Sequence, residues 1–167
     1  RARAALALGR SGSPLAIEQL IQALANASPV VRRSAARALG ETGSPEATPS
    51  LVRELLDGES DIRSEAAEAL GRLGHQGGID PLIEALDDAD PRVRISAIRG
   101  LSETGSSEAR ELLFWYFGEH LEDSVTFPTL VDVLGHMGDH RVVKPTLQRL
   151  DRFRSAAVRL QLLNGTC

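Results

Sequence analysis

Apolar residues recur along this chain in two alternating helical patterns. One is a large-residue triplet: Leu20-Ile21-Leu24, Leu51-Val52-Leu55 and Leu82-Ile83-Leu86. Spacings of one and four residues put these side chains on one face of a helix. The other is built around alanine: Val31-Ala35-Leu39, Ile62-Ala66-Leu70 and Val93-Ala97-Leu101. Both patterns return after 31 residues without a gap. A period of that size marks a stacked-repeat architecture, in which a unit buries its apolar face only against its neighbours. The sequence predicts an all-α fold, a right-handed α-solenoid of about five helix–turn–helix units forming one domain over residues 1–167.

Turn chemistry falls where the patterns change. Leu8-Gly9 to Gly12, Leu39-Gly40 to Gly43 and Leu70-Gly71 to Gly74 each end a second helix, the last glycine supplying a left-handed residue without a Cβ penalty. Ser13, Ser44, His75 and Ser106 follow those positions, where serine is suited to cap the next helix. Pro14 and Pro45 then fit a first helical turn. Within the units, Ser28-Pro29, Glu59-Ser60 and Asp90-Pro91 mark the turn between helices. Arg1 to Gly9 aligns with Arg32 to Gly40, so the first unit reads as truncated and a longer solenoid is expected.

Asn26, Asp57 and Asp88 each stand six residues ahead of Arg32, Arg63 and Arg94. With the Ala and Leu-Gly that follow, the units resemble HEAT repeats. They are closest to the short bilin-lyase-like class, whose signature reads Asp-x5-Arg-x2-Ala-x3-Leu-Gly. The resemblance is close over residues 1–106 and loose beyond. It implies a hydrogen-bonded ladder of Asp57, Asp88, Arg63 and Arg94 along the stack, with Asn26 and Arg32 as a weaker rung. It also implies two functional classes: a protein-binding scaffold, or a subunit of a bilin lyase acting on a chromophore-bearing protein. A HEAT-like family of di-iron hydroxylases carries His-Glu pairs on its second helices. Ser34-Ala35, Ser64-Glu65 and Ser96-Ala97 occupy those places here and contain no such pair.

Charge adds a second periodicity. Arg37, Glu68 and Arg99 are equivalent, as are Arg10, Glu41, Arg72 and Glu103, so the sign alternates from unit to unit. Stacked neighbours are expected to face opposite charges, which disfavours slipped registers more than it stabilises, since exposed pairs are worth about 0–1 kcal/mol. Residues 1–138 carry 13 Lys+Arg against 21 Asp+Glu, a net of −8, and residues 139–167 carry 6 against 2, a net of +4. The acidic body argues against nucleic acid as a partner, and the basic end is suited to steer an anionic one. No apolar run approaches the roughly 20 residues of a membrane span. Cys167 is the single cysteine, so no internal disulfide forms, and a cytoplasmic protein is expected.

The regular repeats occupy residues 1–105, and residues 106–167 diverge. The next Leu-Gly, Leu134-Gly135, comes 33 residues after Leu101, and Val125 to Phe127 replace the expected arginine. All six aromatics lie in this part: Phe114, Trp115, Tyr116, Phe117, Phe127 and Phe153. Leu113, Phe114 and Phe117 align with core positions, whereas Trp115 aligns with Gln22, Arg53 and Glu84, and Tyr116 with Ala23, Glu54 and Ala85. Trp115 and Tyr116 are therefore expected to project as anchors for a protein partner. Arg33, Arg37 and Arg99 complete the expected partner-binding set. A further helix pair is expected over His140 to Leu163, ending at Asn164-Gly165. His136 and His140 are four apart, but Gly135 and Gly138 interrupt them and the alignment places His136 on a turn, so no metal site is expected. No phosphate-cradling glycine loop and no Gly-x-Ser-x-Gly elbow occurs, and neither a catalytic group nor a cofactor is implied.

Overall fold

The two apolar patterns become two kinds of helix. The computed structural model describes residues 13–152. The large-residue segments form α1 (Pro14–Leu24), α3 (Thr48–Asp57), α5 (Ile79–Glu84) and α7 (Ser107–Glu119). The alanine-rich segments form α2 (Pro29–Gly40), α4 (Ser60–Leu73), α6 (Pro91–Glu103) and α8 (Phe127–His136). A 3-10 turn, His140–Val142, then leads into a helix over residues 143–152. No strand occurs among the described residues. The truncated helix expected at residues 1–9, Phe153, the helix expected at 155–163 and Cys167 lie outside them.

First helices stack on first helices and second on second, giving the two layers of an α-solenoid. Between the layers, Leu20, Leu51, Leu82 and Leu113 meet Leu39, Leu70, Leu101 and Leu134, all buried. Each such side chain contributes roughly 1.5–3 kcal/mol, much of it against an adjacent unit. The second-helix layer is tighter because its contact residues are small. A Cβ built on Gly40 would lie 2.7 Å from Ala69 Cα. One built on Gly71 would overlap Gly100 Cα and lie 2.7 Å from the Gly100 carbonyl oxygen.

Gly43 and Gly74, expected from sequence to be left-handed, end their second helices with φ of 66° and 60°, and Gly105 and Gly138 end the next two in the same way with φ of 67° and 74°. Capping is less uniform. Ser106 accepts from the backbone N–H of Glu108 (3.1 Å) and Ala109 (3.4 Å), and His75 accepts from Gly77 N–H at 3.3 Å. Ser13 and Ser44 occupy the N-cap position without a side-chain capping bond.

The divergence after Gly105 starts in α7, which has 13 residues against 10 in α3. Its following turn is built on Asp123, which accepts from Val125 N–H (2.8 Å) and from the Thr126 hydroxyl (2.7 Å). Asn26 and Asp88 make the same local bond, to Ser28 N–H and Asp90 N–H. Asp123 is thus the counterpart of those residues, displaced by the longer helix, and Thr126 is buried where the repeat loses its arginine.

Candidate functional site

Four first-helix residues of successive units occupy one equivalent position: Gln22, Arg53, Glu84 and Trp115. All four are exposed. Trp115 stands out chemically, since 64% of a large aromatic side chain faces solvent. Its helix explains the placement. Leu113 and Phe117 are buried, Phe114 is half-buried against them, and Trp115 falls on the opposite side of α7.

The surface beside Trp115 is fixed by the next unit. Arg141 donates to both carboxylate oxygens of Glu111, at 2.9 and 2.8 Å, and its Nε donates to Asp139 at 2.9 Å. Its guanidinium also lies 4.0 Å over the Phe114 ring. Glu111 precedes Trp115 by four residues and so shares its helix face. The Arg141 guanidinium holds the carboxyls of Glu111 and Asp139 below the usual carboxylate range. A second bridge, Arg152 to Glu122 at 3.2 Å, joins the same two units. Two charges of the basic end are therefore held by acids of the preceding unit, a use that the −8 and +4 totals did not reveal. Arg149 lies 3.8 Å over Phe127.

Tyr116 does not project. It is 4% exposed, and its hydroxyl donates to the Leu86 carbonyl at 2.9 Å, in the 3-10 turn (Ala85–Asp87) that ends the first-helix segment of the preceding unit. A carbonyl at a helix end lacks an intrahelical donor, and the phenol supplies one. His120 stacks on the same ring, centroids 3.8 Å apart. The aligned small residues Ala23 and Ala85 concealed this role, because only a phenol is long enough to reach back into the previous unit.

The ladder implied by the family signature is clearest at one rung. Arg63 grips Asp88 of the next unit with two bonds of 2.8 Å and donates to Gly58 O at 3.0 Å. The Arg63 guanidinium holds the Asp88 carboxyl below its ordinary range. Arg32 donates instead to the Asn26 carbonyl (2.8 Å) and to Glu59 (3.1 Å). Arg94 donates to the Asp88 and Ala89 carbonyls, at 2.9 and 3.3 Å. The expected Asp57 rung lies outside the described side chains. A bridge absent from the sequence reading, Arg92 to Asp61 at 2.6 Å, spans two units along the second-helix layer.

Arg33, Arg37 and Arg99 are exposed but lie on α2 and α6, in the second-helix layer, whereas Trp115 lies in the first-helix layer. The expected partner-binding set is therefore two separate surfaces. On the second-helix face the alternating charges form a mixed field. A bridge among them runs along α4 within one unit, Arg72 to Glu68 at 2.9 Å. Burial pushes the carboxyls of Glu65 and Glu103 above their ordinary range, with nearby arginines opposing that shift. His136 closes α8 rather than sitting in the turn, and its Nδ1 lies 2.8 Å from the Asp132 carbonyl. Among the described residues no group of three or more His, Cys, Asp or Glu could hold a metal ion, and no helix is long and apolar enough to cross a membrane.

Comparison with known proteins places this geometry. The chain is similar to the complex of CpcE and CpcF of phycocyanin lyase from Nostoc sp. PCC7120, at 26% identity and a TM-score of 0.66. That similarity covers 85% of this chain and 60% of that one, so the chain spans about three fifths of the chain it matches. An engineered protein shares the fold at 23% identity and a TM-score of 0.51, covering 99% of this chain and 83% of its own. No curated protein matches the sequence. A family model describing HEAT repeats matches residues 1–71 and 53–126, most of the chain. The chain belongs to the HEAT-repeat family.

Proposed function

We propose that this chain is a non-enzymatic protein-binding solenoid that recognises a protein partner through the first-helix surface around Trp115. The observation that carries this reading is Trp115 itself, 64% exposed where the three preceding units carry Gln22, Arg53 and Glu84. Large rigid aromatics at fixed positions are the side chains that supply most binding energy in protein interfaces. The Glu111–Arg141 bridge holds the two units around it together, which limits the entropy lost on binding. The test is affinity recovery with wild type and Trp115→Ala, both checked for helicity by circular dichroism. A discrete partner retained by wild type and lost with Trp115→Ala supports the reading; equal recovery refutes it.

A second reading is favoured by one observation, the likeness to the CpcE–CpcF complex of phycocyanin lyase. In it the chain serves as one subunit of a bilin-lyase-type assembly and its partner is a second protein of that assembly. Incubation with a phycobilin separates the two readings. A bilin absorbance change on binding sinks the scaffold-only reading, and an unchanged spectrum across the saturating range sinks the lyase-subunit one.

A further inference from the structure

The row containing Trp115 has a charge order as well as an aromatic end. Arg53 and Glu84 lie at the equivalent exposed positions of the two preceding units. Neither side chain makes a hydrogen bond or ion pair among the described residues, unlike Arg32 and Arg63, which line the same two clefts. Each borders a cleft at a seam between units. The first, of 460 Å³, is lined by Leu24, Arg32, Arg53, Glu54 and Glu59 among others. The second, of 360 Å³, is lined by Leu55, Leu56, Arg63, Glu84 and Asp88 among others. Leu24 and Leu55, Arg32 and Arg63, and Arg53 and Glu84 are each 31 residues apart, so one cleft repeats in the other with the rim charge reversed.

We infer that this row docks an extended segment of the protein partner, which presents an acidic, a basic and an apolar side chain in that order to Arg53, Glu84 and Trp115. The inference rests on the proposed binding role of the Trp115 surface. Its spacing follows from the stack. Packed helices lie about 8–10 Å apart, and an extended chain rises about 3.3 Å per residue. Adjacent positions in the row therefore match residues three apart in the partner, giving acid-x-x-base-x-x-apolar. The order of the row fixes the direction of the segment, because reversing it leaves the base at Glu84 but sets the apolar side chain against Arg53 and the acid against Trp115.

The experiment uses immobilised nonapeptides with Asp, Lys and Leu at positions 2, 5 and 8 in a Gly-Ser background. It compares them with peptides in which Asp and Lys are exchanged, and with helical peptides carrying the same groups seven residues apart. The chain is expected to favour the Asp-Lys-Leu order by about threefold to tenfold, the range for two exposed charge pairs. The double variant Arg53→Glu, Glu84→Arg is expected to reverse that preference, and Trp115→Ala to weaken both orders alike. Circular dichroism confirms that the variants, changed only at exposed positions, remain folded. Equal binding of the two orders, a preference the double variant leaves intact, or a preference only at seven-residue spacing each overturns the inference. If it fails while Trp115→Ala still abolishes partner recovery, the proposed binding role stands; unchanged partner recovery with Trp115→Ala overturns that role itself.

Discussion

Gly71→Ala isolates the contact that sets the second-helix layer. In an exposed helix the change would stabilise, since alanine is favoured over glycine by about 1 kcal/mol. Here the new methyl would overlap Gly100 Cα and sit 2.7 Å from the Gly100 carbonyl oxygen, both backbone atoms that no rotamer change can move. Relief requires α4 and α6 to part. A gap of 0.5–1 Å forfeits about a quarter to a half of each atom-pair attraction of roughly 0.1–0.2 kcal/mol, summed over the many pairs that Leu70, Ala97 and Leu101 bring to this seam. Overpacked cores lose about 1–3 kcal/mol after relaxation, so the expected net effect is a destabilisation of about 1–3 kcal/mol. Because the lost term is an interface between units, unfolding is also expected to become less cooperative. Gly118→Ala is the control: it lies in α7, is exposed, and its Cβ would meet nothing within 4 Å. It is expected to gain up to about 1 kcal/mol. Urea unfolding followed by circular dichroism reads both midpoint and slope. A Gly71→Ala protein as stable as Gly118→Ala would show that the two helices are not held apart by the backbone contact, and the reasoning would fail.

Three further outcomes are expected. Tyr116→Phe removes the bond to the Leu86 carbonyl and leaves that acceptor unpaired, a loss of about 1–2 kcal/mol in urea; an unchanged midpoint would refute the tether. Thr48 is 4% exposed with no partner for Oγ1, at the position where neighbouring units carry Ile17 and Ile79. Thr48→Val is therefore expected to raise the thermal midpoint, by about 1 kcal/mol of added stability, and a lowered midpoint would contradict the account. The Asp88 carboxyl is held low by Arg63. Its bond then contributes fully above the unfolded carboxylate pKa of about 3.9 and is lost as pH falls through the lower folded value. Asp88→Asn is expected to lower stability at neutral pH and flatten the acid limb; wild-type and variant curves that stay parallel below pH 5 would count against the rung.

The sequence by itself determined the architecture. A 31-residue period with alternating leucine-rich and alanine-rich faces has one physical solution, because neither face can be buried within its own unit. It determined the left-handed glycines as well, since backbone sterics act locally, and it placed Trp115 at an exposed position through the polar residues of its repeat equivalents. Tertiary structure decided whatever depended on reach between units. The hydroxyl of Tyr116 finds its acceptor 30 residues back, and Arg141 finds Glu111 at the same separation, neither with any local signal. The longer α7 displaced Asp123 from the place where a fixed period would look for it. Charge totals misled for a similar reason: net charge sums over a segment, whereas an ion pair forms only where stacking brings one arginine to one carboxylate. Arg53 and Glu84 also share the Trp115 row, but only the packed layer shows that both remain exposed without an ion-pair partner, while Arg32 and Arg63 in the same clefts are already engaged.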